Sequence, residues 1–515
     1  MTDFLTGAQI TALGGNPGVP LVQDTITKKM IDGDGNQSLV LPNESPLSTL
    51  FHSLVDPQTG RINYASLGDS IANINGTNLN SDYRTWPAGI GCDSTKGPGH
   101  YVRLSGGMLR FVANCGFSGR KITDVIAAEL GTTAASSTRK GIEDAANSGA
   151  RLAIISLGVN DIQTGLFSTS TSGQITAALA TMYTNMTVIF GRCIANGITP
   201  IFKNIGGYDY GSFAVANPSF FPSGAADVTA RRLIIAQFNA GMQTLIQSLP
   251  YFVGYIDVQS VLCNADGSYK TDMSDDGLHP SCAGAMLEAN AGVNYLRAIS
   301  ILPAVVQRSV VPTGGNYSVN IFRNPDLYNA SGSYGATECY FVGPAISSSG
   351  TFNYATVQKS GRFWHAVTLT PTAAGTGGVY GCSIFYNVRV NGGTPDVAVS
   401  IGDLLSVECD IIVDDGAGGK PVGYKSLTAR LQAIGTNASI YADDIAYDTT
   451  SVRDVGQYLP GQLVLHPVVG PLSMTDASAT ITGGCNFQLI LLTTKTNPIR
   501  ILVSSIRVIK VPAKY

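Results

Sequence analysis

Charge is scarce in this sequence: only 13% of its 515 residues are Asp, Glu, Lys or Arg, and they sum to −3. Without a basic field there is nothing to concentrate polyphosphates or anionic lipid at the surface, which argues against nucleic-acid and membrane partners. Long apolar runs are missing too. No segment holds the ~18 apolar residues needed to cross a bilayer. Residues 1–15 carry neither a basic region nor the continuous apolar stretch of a secretory signal. Nine cysteines (92, 115, 193, 263, 282, 339, 382, 409 and 485) form no C-x-x-C pair. A zinc site, or any other metal site, and a dense disulfide framework are therefore not indicated, and an odd thiol is left over. A Cys263–Cys282 bridge is compatible with the sequence, and buried single thiols are the plainer expectation.

What is abundant points to β-rich, loop-rich architecture: 59 glycines, 22 tyrosines and long Ser/Thr/Asn-rich stretches. This is the composition of an exterior protein, and with no visible signal it suggests an extracellular or virion-associated location. At ~100 to 200 residues per domain the length implies two to four units. Residues 1–60 are rich in Gly, Pro, Asn and Asp (Gly14-Gly15-Asn16-Pro17, Asp32-Gly33-Asp34-Gly35-Asn36) and read as an extended connector or attachment segment.

From residue 61 to about 305 the pattern becomes α/β. Short apolar runs at 62–67, 151–157, 198–202 and 251–256 suit buried parallel strands. Between them Ile175, Leu179, Met182, Met186 and Ile189 fall on one helical face, as do Ile234, Phe238, Leu245 and Leu249, and a helix over 283–296 closes the unit. Strand and helix in alternation predict a three-layer α/β/α domain on a parallel sheet, with its site at the carboxyl ends of the strands. After 305 the helices stop. Val407, Cys409, Ile411 and Val413 alternate with Ser406, Glu408, Asp410 and Ile412, and Leu427, Ala429, Leu431 and Ala433 with Thr428, Arg430 and Gln432. Residues 306–515 are therefore expected to form an antiparallel β-sandwich.

Chemistry begins at Gly68-Asp69-Ser70, where the first buried run ends and the backbone turns toward a helix. A hydroxyl so placed needs a base. Of five histidines, two lie between Ser70 and the end of the α/β region: His100, a loop histidine with no partner pattern, and His279 in Asp275-Asp276-Gly277-Leu278-His279-Pro280. An Asp three residues before a His lets one turn present both the base and the carboxylate that fixes its tautomer. Developing negative charge needs donors as well. Gly119, in the glycine-containing loop Asn114-Cys115-Gly116-Phe117-Ser118-Gly119 ahead of a helix, offers a backbone N–H. Asn160, in Gly158-Val159-Asn160-Asp161 after the second run, offers a side-chain N–H.

Taken together, these four blocks resemble the SGNH (GDSL-type) serine hydrolases, over about 240 residues. The resemblance implies a flavodoxin-like α/β domain and an esterase without cofactor. It makes Ser70 the nucleophile, His279 the base and Asp276 its orienter, with Asp275 as a rival that the family spacing disfavours. The oxyanion hole would be the N–H groups of Ser70 and Gly119 and the Asn160 amide. The long stretch between Ser70 and Asn114 departs from the family pattern, and Tyr83 and Trp86 within it are candidate substrate contacts.

The family cleaves carboxylic esters, and many members deacetylate carbohydrates. The cleft aromatics, the low charge and an appended β-domain of the size of a carbohydrate-binding module, jelly-roll-like, favour an acetylated glycan as substrate. In that β-domain Trp364, Phe363, Tyr340 and Phe341 are candidates for a sugar-stacking platform, with core filling as the competing role; glycan binding and assembly both remain open. The N-terminal composition loosely resembles the attachment region of phage tail fibres and tailspikes, which would make a homotrimer. The alternatives are a lipid or short-chain acyl esterase, and a glycan-binding adhesin with little turnover.

Overall fold

The structure is a computed structural model. It describes residues 22–23, 30–31, 37–38, 54–56, 60–72, 97–129, 141–274, 276–302, 340–346, 350–359, 362–372, 380–388, 404–434, 439–445, 464–473, 485–493 and 496–511. The chain divides into two compact units, one of residues 1–85, 96–101 and 108–304, the other of 86–95, 102–107 and 305–515. Most of the connector expected over 1–60 lies outside the described residues, as do Tyr83, Trp86, Cys92 and Asp275. What is described of that connector includes three two-residue strands, β1 (Val22–Gln23), β2 (Met30–Ile31) and β3 (Gln37–Ser38), paired antiparallel in that order.

The first unit is built on a mostly parallel sheet. Its strands are β4 (Val55–Asp56), β5 (Arg61–Gly68), β6 (Leu109–Gly116), β7 (Leu152–Ser156), β8 (Thr199–Lys203) and β9 (Gly254–Ile256). Strands β6 and β7 flank β5, β8 follows β7 and β9 follows β8, all parallel, while β4 adds a short antiparallel pair at the start of β5. All five residues of β7 and all five of β8 are buried. Both faces of the sheet are therefore covered, which is why β7 reads as an apolar run from Leu152 to Ile155 and the centre of β8 as Ile201-Phe202 rather than as alternation. The parallel order β6-β5-β7-β8-β9 reverses direction at β5, so a crevice opens at that strand's carboxyl end.

The described helices include α1 (Gly97–Leu104), whose last three residues fall in the second unit, and, within the first, α2 (Ile122–Glu129), α3 (Ile142–Asn147), α4 (Val159–Gly165), α5 (Ser172–Ala195), α6 (Ser212–Ala216), α7 (Ala225–Ser248), α8 (Gln259–Leu262) and α9 (Cys282–Ala298). Helix α5 starts at a capping box. The Thr171 hydroxyl accepts the Gln174 N–H, the Gln174 carboxamide accepts the Thr171 N–H at 2.8 Å, and two of the orphan donors of the first turn are thereby satisfied. Its Leu179, Met182, Met186 and Ile189 are buried, the face that the periodicity marks. Helix α7 buries Ile234 and Phe238 but leaves Leu245 only half-buried, and Leu249, half-buried as well, falls just past its end.

Several local expectations need correction. Residues 114–116 belong to the end of strand β6, an edge strand whose partly exposed Arg110 and Val112 break up its apolar run. His100 is a buried residue of α1, not a loop histidine. Cys263 is a free buried thiol, so the bridge to Cys282 is not formed; burial pushes that thiol up to about 12, far from nucleophilic use.

From residue 305 on, the described residues of the second unit include the antiparallel strands β10 (Tyr340–Ile346), β11 (Gly350–Lys359), β12 (Arg362–Pro371), β13 (Tyr380–Val388), β14 (Leu404–Asp414), β15 (Tyr424–Ile434), β16 (Ser439–Ile445), β17 (Val464–Leu465), β18 (Val468–Ser473), β19 (Cys485–Thr493) and β20 (Ile499–Val511). They form two sheets, ordered β10-β13-β19-β15-β16 and β11-β12-β20-β14-β17, with β18 also paired to β14. On β15 Leu427, Ala429 and Leu431 are buried with Arg430 half-buried between them, as a period-two pattern requires, but on β19 Gln488 is buried along with Phe487, Leu489 and Leu491, and β14 is buried on both faces from Val407 to Asp414, so the alternation expected there is not seen. Strand β14 ends in the expected glycine-rich turn, where the Asp415 carboxylate accepts the N–H groups of Ala417 and Gly419, both at 2.8 Å. Trp364 is 1% exposed and packs against Ala366, Ile412 and Leu502, so it fills the core and cannot stack on a sugar. Phe363 is half-buried, and the side chains of Tyr340 and Phe341 lie outside the described residues.

Candidate active site

Gly68, Gly116 and Ser156 stand side by side at the carboxyl ends of β5, β6 and β7. The three segments that continue from these strands bring Ser70, Gly119 and Asn160 to the same edge of the sheet. Glycine at 68 is obligatory. Its φ is +148°, and a Cβ there would sit 1.9 Å from the Ser156 carbonyl oxygen. Three bonds then shape the turn: Ser66 donates its hydroxyl to the Ala72 carbonyl (2.7 Å), the Ile71 N–H reaches the Asp69 carboxylate (2.9 Å), and the Phe117 N–H reaches the Gly68 carbonyl (2.9 Å). Burial pushes the Asp69 carboxyl up to about 6, against the opposing pull of the Ile71 N–H and of the Lys203 and His279 charges.

Ser70 is left half-buried at the tip, with its Oγ 2.8 Å from His279 Nε2. The other ring nitrogen, Nδ1, lies 2.7 Å from Asp276 Oδ2. Oδ1 of the same carboxylate accepts the N–H groups of Leu278 and His279, each at 2.8 Å. One carboxylate thus both folds the turn and orients the ring. Burial alone would raise the Asp276 carboxyl, but the His279 ring and backbone N–H bonds, the His279 charge and the Leu278 N–H outweigh it and hold the group at about 2. The turn is closed from outside by Ser274, which donates to the His279 carbonyl (2.7 Å) and accepts from the Gly277 N–H (2.9 Å). Just beyond, Ser281 caps α9 by accepting the Gly284 N–H at 3.1 Å. Lys203, at the end of β8, makes a buried ion pair with Glu288 of α9, which ties the helix after the turn to the sheet.

Asn160 is 4% exposed and donates one amide N–H to the Arg120 carbonyl at 3.1 Å, next to Gly119. A carboxamide has two N–H donors, so one remains for a ligand. Gly119 is exposed, at φ +77°, on the turn between β6 and α2. The neighbouring Asp161 accepts the Ile122 N–H through both oxygens (3.0 and 3.3 Å) and fixes α2 against α4; burial pushes its carboxyl up to about 6. The structure therefore joins Ser70, His279 and Asp276 directly and couples Gly119 to Asn160 through Arg120. Among the described residues, no group of three or more His, Cys, Asp or Glu side chains is arranged to hold a metal ion. No helix of the described residues is long and apolar enough to cross a membrane.

One neighbour went unnoticed in the sequence. Phe213 of α6 sets its ring edge-on to the His279 imidazole, with centroids 5.8 Å apart and planes at 82°. The available signal was its setting, the glycine- and aromatic-rich stretch 206–213 at the carboxyl end of a buried strand.

Residues 66–287 match the model of the GDSL-like Lipase/Acylhydrolase family, a match that supports an ester hydrolase. Similar solved structures include a GDSL-like lipase from Bacteroides thetaiotaomicron (14% identity, 49% of this chain and 94% of that one, TM-score 0.29). An acetyl xylan esterase (13% identity, 45% and 98%, TM-score 0.28) and an acetylxylan esterase from Geobacillus stearothermophilus (19% identity, 46% and 93%, TM-score 0.27) are also similar. No curated protein matches the chain.

Proposed function

We propose that this chain, whose residues 66–287 match the GDSL-like acylhydrolase family, is a serine esterase that removes O-acetyl or other short acyl groups from a polysaccharide. The observation that carries the reading is the unbroken hydrogen-bond chain from Ser70 Oγ through His279 to Asp276, at 2.8 and 2.7 Å.

In this reading His279 Nε2 accepts the Ser70 proton as Oγ bonds to the ester carbonyl carbon, and Asp276 stabilises the resulting imidazolium. The oxyanion is met by the N–H groups of Ser70 and Gly119 and by the free amide N–H of Asn160. As the tetrahedral species collapses, the C–O bond to the alcohol breaks and His279 gives that oxygen its proton. Water then attacks the acyl-serine with His279 as base, and the carboxylate leaves with Ser70 regenerated. Asn160→Ala should lower kcat by ~10²- to 10³-fold with little change in KM, because the donor acts on charge present mainly in the transition state. Steady-state kinetics on one small ester would check this.

The glycan half of the proposal draws on the low charge and on the large all-β second unit, whose two sheets we take as a jelly-roll-like sandwich for glycan binding or assembly. Its setting would be extracellular or on a virion, a tail fibre or tailspike acting on host capsule or O-antigen. A homotrimer in gel filtration would support that setting, and a monomer would count against it. The substrate class is tested by a p-nitrophenyl acetate-to-octanoate series beside acetate release from acetylated polysaccharides. Preference for acetyl with acetate freed from glycan supports the deacetylase. Preference for long chains points to a lipid esterase instead, and inertness on all esters to an adhesin.

A further inference from the structure

The connection from β8 to α7 runs across the turn that carries His279. The Asp209 N–H donates to the Gly277 carbonyl (2.8 Å) and the Phe213 N–H to the Asp276 carbonyl (3.0 Å). Between them Gly211 passes so close that a Cβ would lie 2.2 Å from the Asp276 carbonyl oxygen. From this crossing an aromatic cluster extends away from the imidazole: Phe213 meets Phe221 at 6.3 Å, and Phe221 meets Tyr210 at 6.1 Å and Tyr208 at 5.9 Å. Phe221 is buried, whereas Tyr210 is 49% exposed and Val215 67%. Of the four large hydrophobic residues exposed among the described ones, two therefore stand beside the catalytic turn.

The cluster is held from beneath. Arg231 is fully buried with its guanidinium over Phe221 (4.8 Å), Phe167 (5.3 Å) and Tyr208 (5.8 Å). It donates to the carbonyls of Leu166 (3.1 Å), Gln163 (2.7 Å) and Phe220. Arg232 pairs with Asp209 and, at 3.3 Å, with Asp266. A half-exposed tyrosine on so firmly anchored a segment is not explained by packing alone, and the aspartates beneath it have cationic neighbours, Arg232 for Asp209 and Asp266 and Arg231 for Asp227.

We propose that Tyr210, linked to His279 through Phe221 and Phe213, forms a ledge that binds the alcohol half of the ester, a pyranose ring lying on the exposed Tyr210 face. The direction follows from proton transfer. His279 must deliver its proton to the departing oxygen, so the alcohol leaves on the His279 side while the acyl oxygen points toward Gly119 and Asn160. A flat, uncharged aromatic surface suits the C–H face of a sugar better than it suits an anionic headgroup. This inference rests on the esterase reading and refines its glycan part.

The test varies the two halves of the ester separately in the full-length protein. At fixed acetyl, the alcohol is ethanol, cyclohexanol or a methyl xyloside; at fixed ethanol, the acyl group runs from acetyl to octanoyl. In Tyr210→Ala, kcat/KM for the glycoside acetate should fall about tenfold relative to ethyl acetate, mainly through KM, with the acyl-length dependence kept. Tyr210→Phe should restore the preference, since the ring and not the hydroxyl does the stacking. Leu233→Ala, exposed on α7 away from the turn, should alter neither series. A changed acyl-length dependence in Tyr210→Ala, or an unchanged alcohol dependence, overturns the ledge. A wild type that favours cyclohexyl over glycoside acetate, with the preference lost in Tyr210→Ala, overturns the glycan reading and leaves the ledge standing.

Discussion

Ser70→Ala should lower kcat by ~10⁵- to 10⁶-fold on any ester the protein hydrolyses, the scale seen when a nucleophile that acts as a unit with its base is removed. The fold should not suffer. The Ser70 hydroxyl contacts His279, while the turn around it is held by Ser66, Asp69 and Phe117. Thermal midpoints of mutant and wild type should agree within a few degrees. Substrate should also fail to label the mutant in an acyl-enzyme trapping experiment read by intact mass. Turnover persisting within tenfold of wild type would remove Ser70 from the mechanism and with it the whole relay.

Asp276→Asn should cost about 10⁴-fold in kcat, because the carboxamide can no longer hold the His279 Nδ1 proton and the ring turns to the tautomer that cannot accept from Ser70. The amide oxygen can still accept the Leu278 and His279 N–H groups, so the loss in activity exceeds any loss in stability. A pH signature separates the two roles. Since its partners hold the Asp276 carboxyl at about 2, below the value near 3.9 of an unfolded chain, the ionised group stabilises the fold above pH 4 and this contribution disappears as pH falls toward 2. Melting curves between pH 6 and 2 should therefore show wild type and Asp276→Asn converging at the acid end. A constant gap across that range would mean that the carboxylate is not held by the contacts described.

The parts of this molecule that could be read from sequence are those whose physical requirement is local. Strand β7 is an apolar run from Leu152 to Ile155 because both faces of the sheet are covered, and the Asp276-to-His279 spacing is what one carboxylate needs to bind two backbone N–H groups and a ring at once. Ser70 stood out because it follows such a run. Strand β6 was hidden because an edge strand keeps residues such as Arg110 half in solvent. Strand β9 begins only at Gly254, so the first three residues of the apolar run at 251–256 lie outside the ladder. The fate of Trp364 depended on Ile412 and Leu502, residues far away in sequence, and alternation alone does not say which face of a strand meets them. The segment crossing the catalytic turn escaped for another reason: it makes its contacts through backbone N–H groups of Asp209 and Phe213, which leave no residue-type signature.

The separation of 209 residues between Ser70 and His279 has a consequence for synthesis. A ribosome releases the nucleophile first, and at that stage the hydroxyl has no base within reach. The ring arrives only after β7, β8 and α7 have been made, and its turn is locked only once α9 has emerged to pair Glu288 with Lys203. Chains that stall or are clipped anywhere in that interval carry Ser70 but no relay. In the proposed reading such a fragment is silent, and a first turnover reports that the entire α/β unit has been assembled.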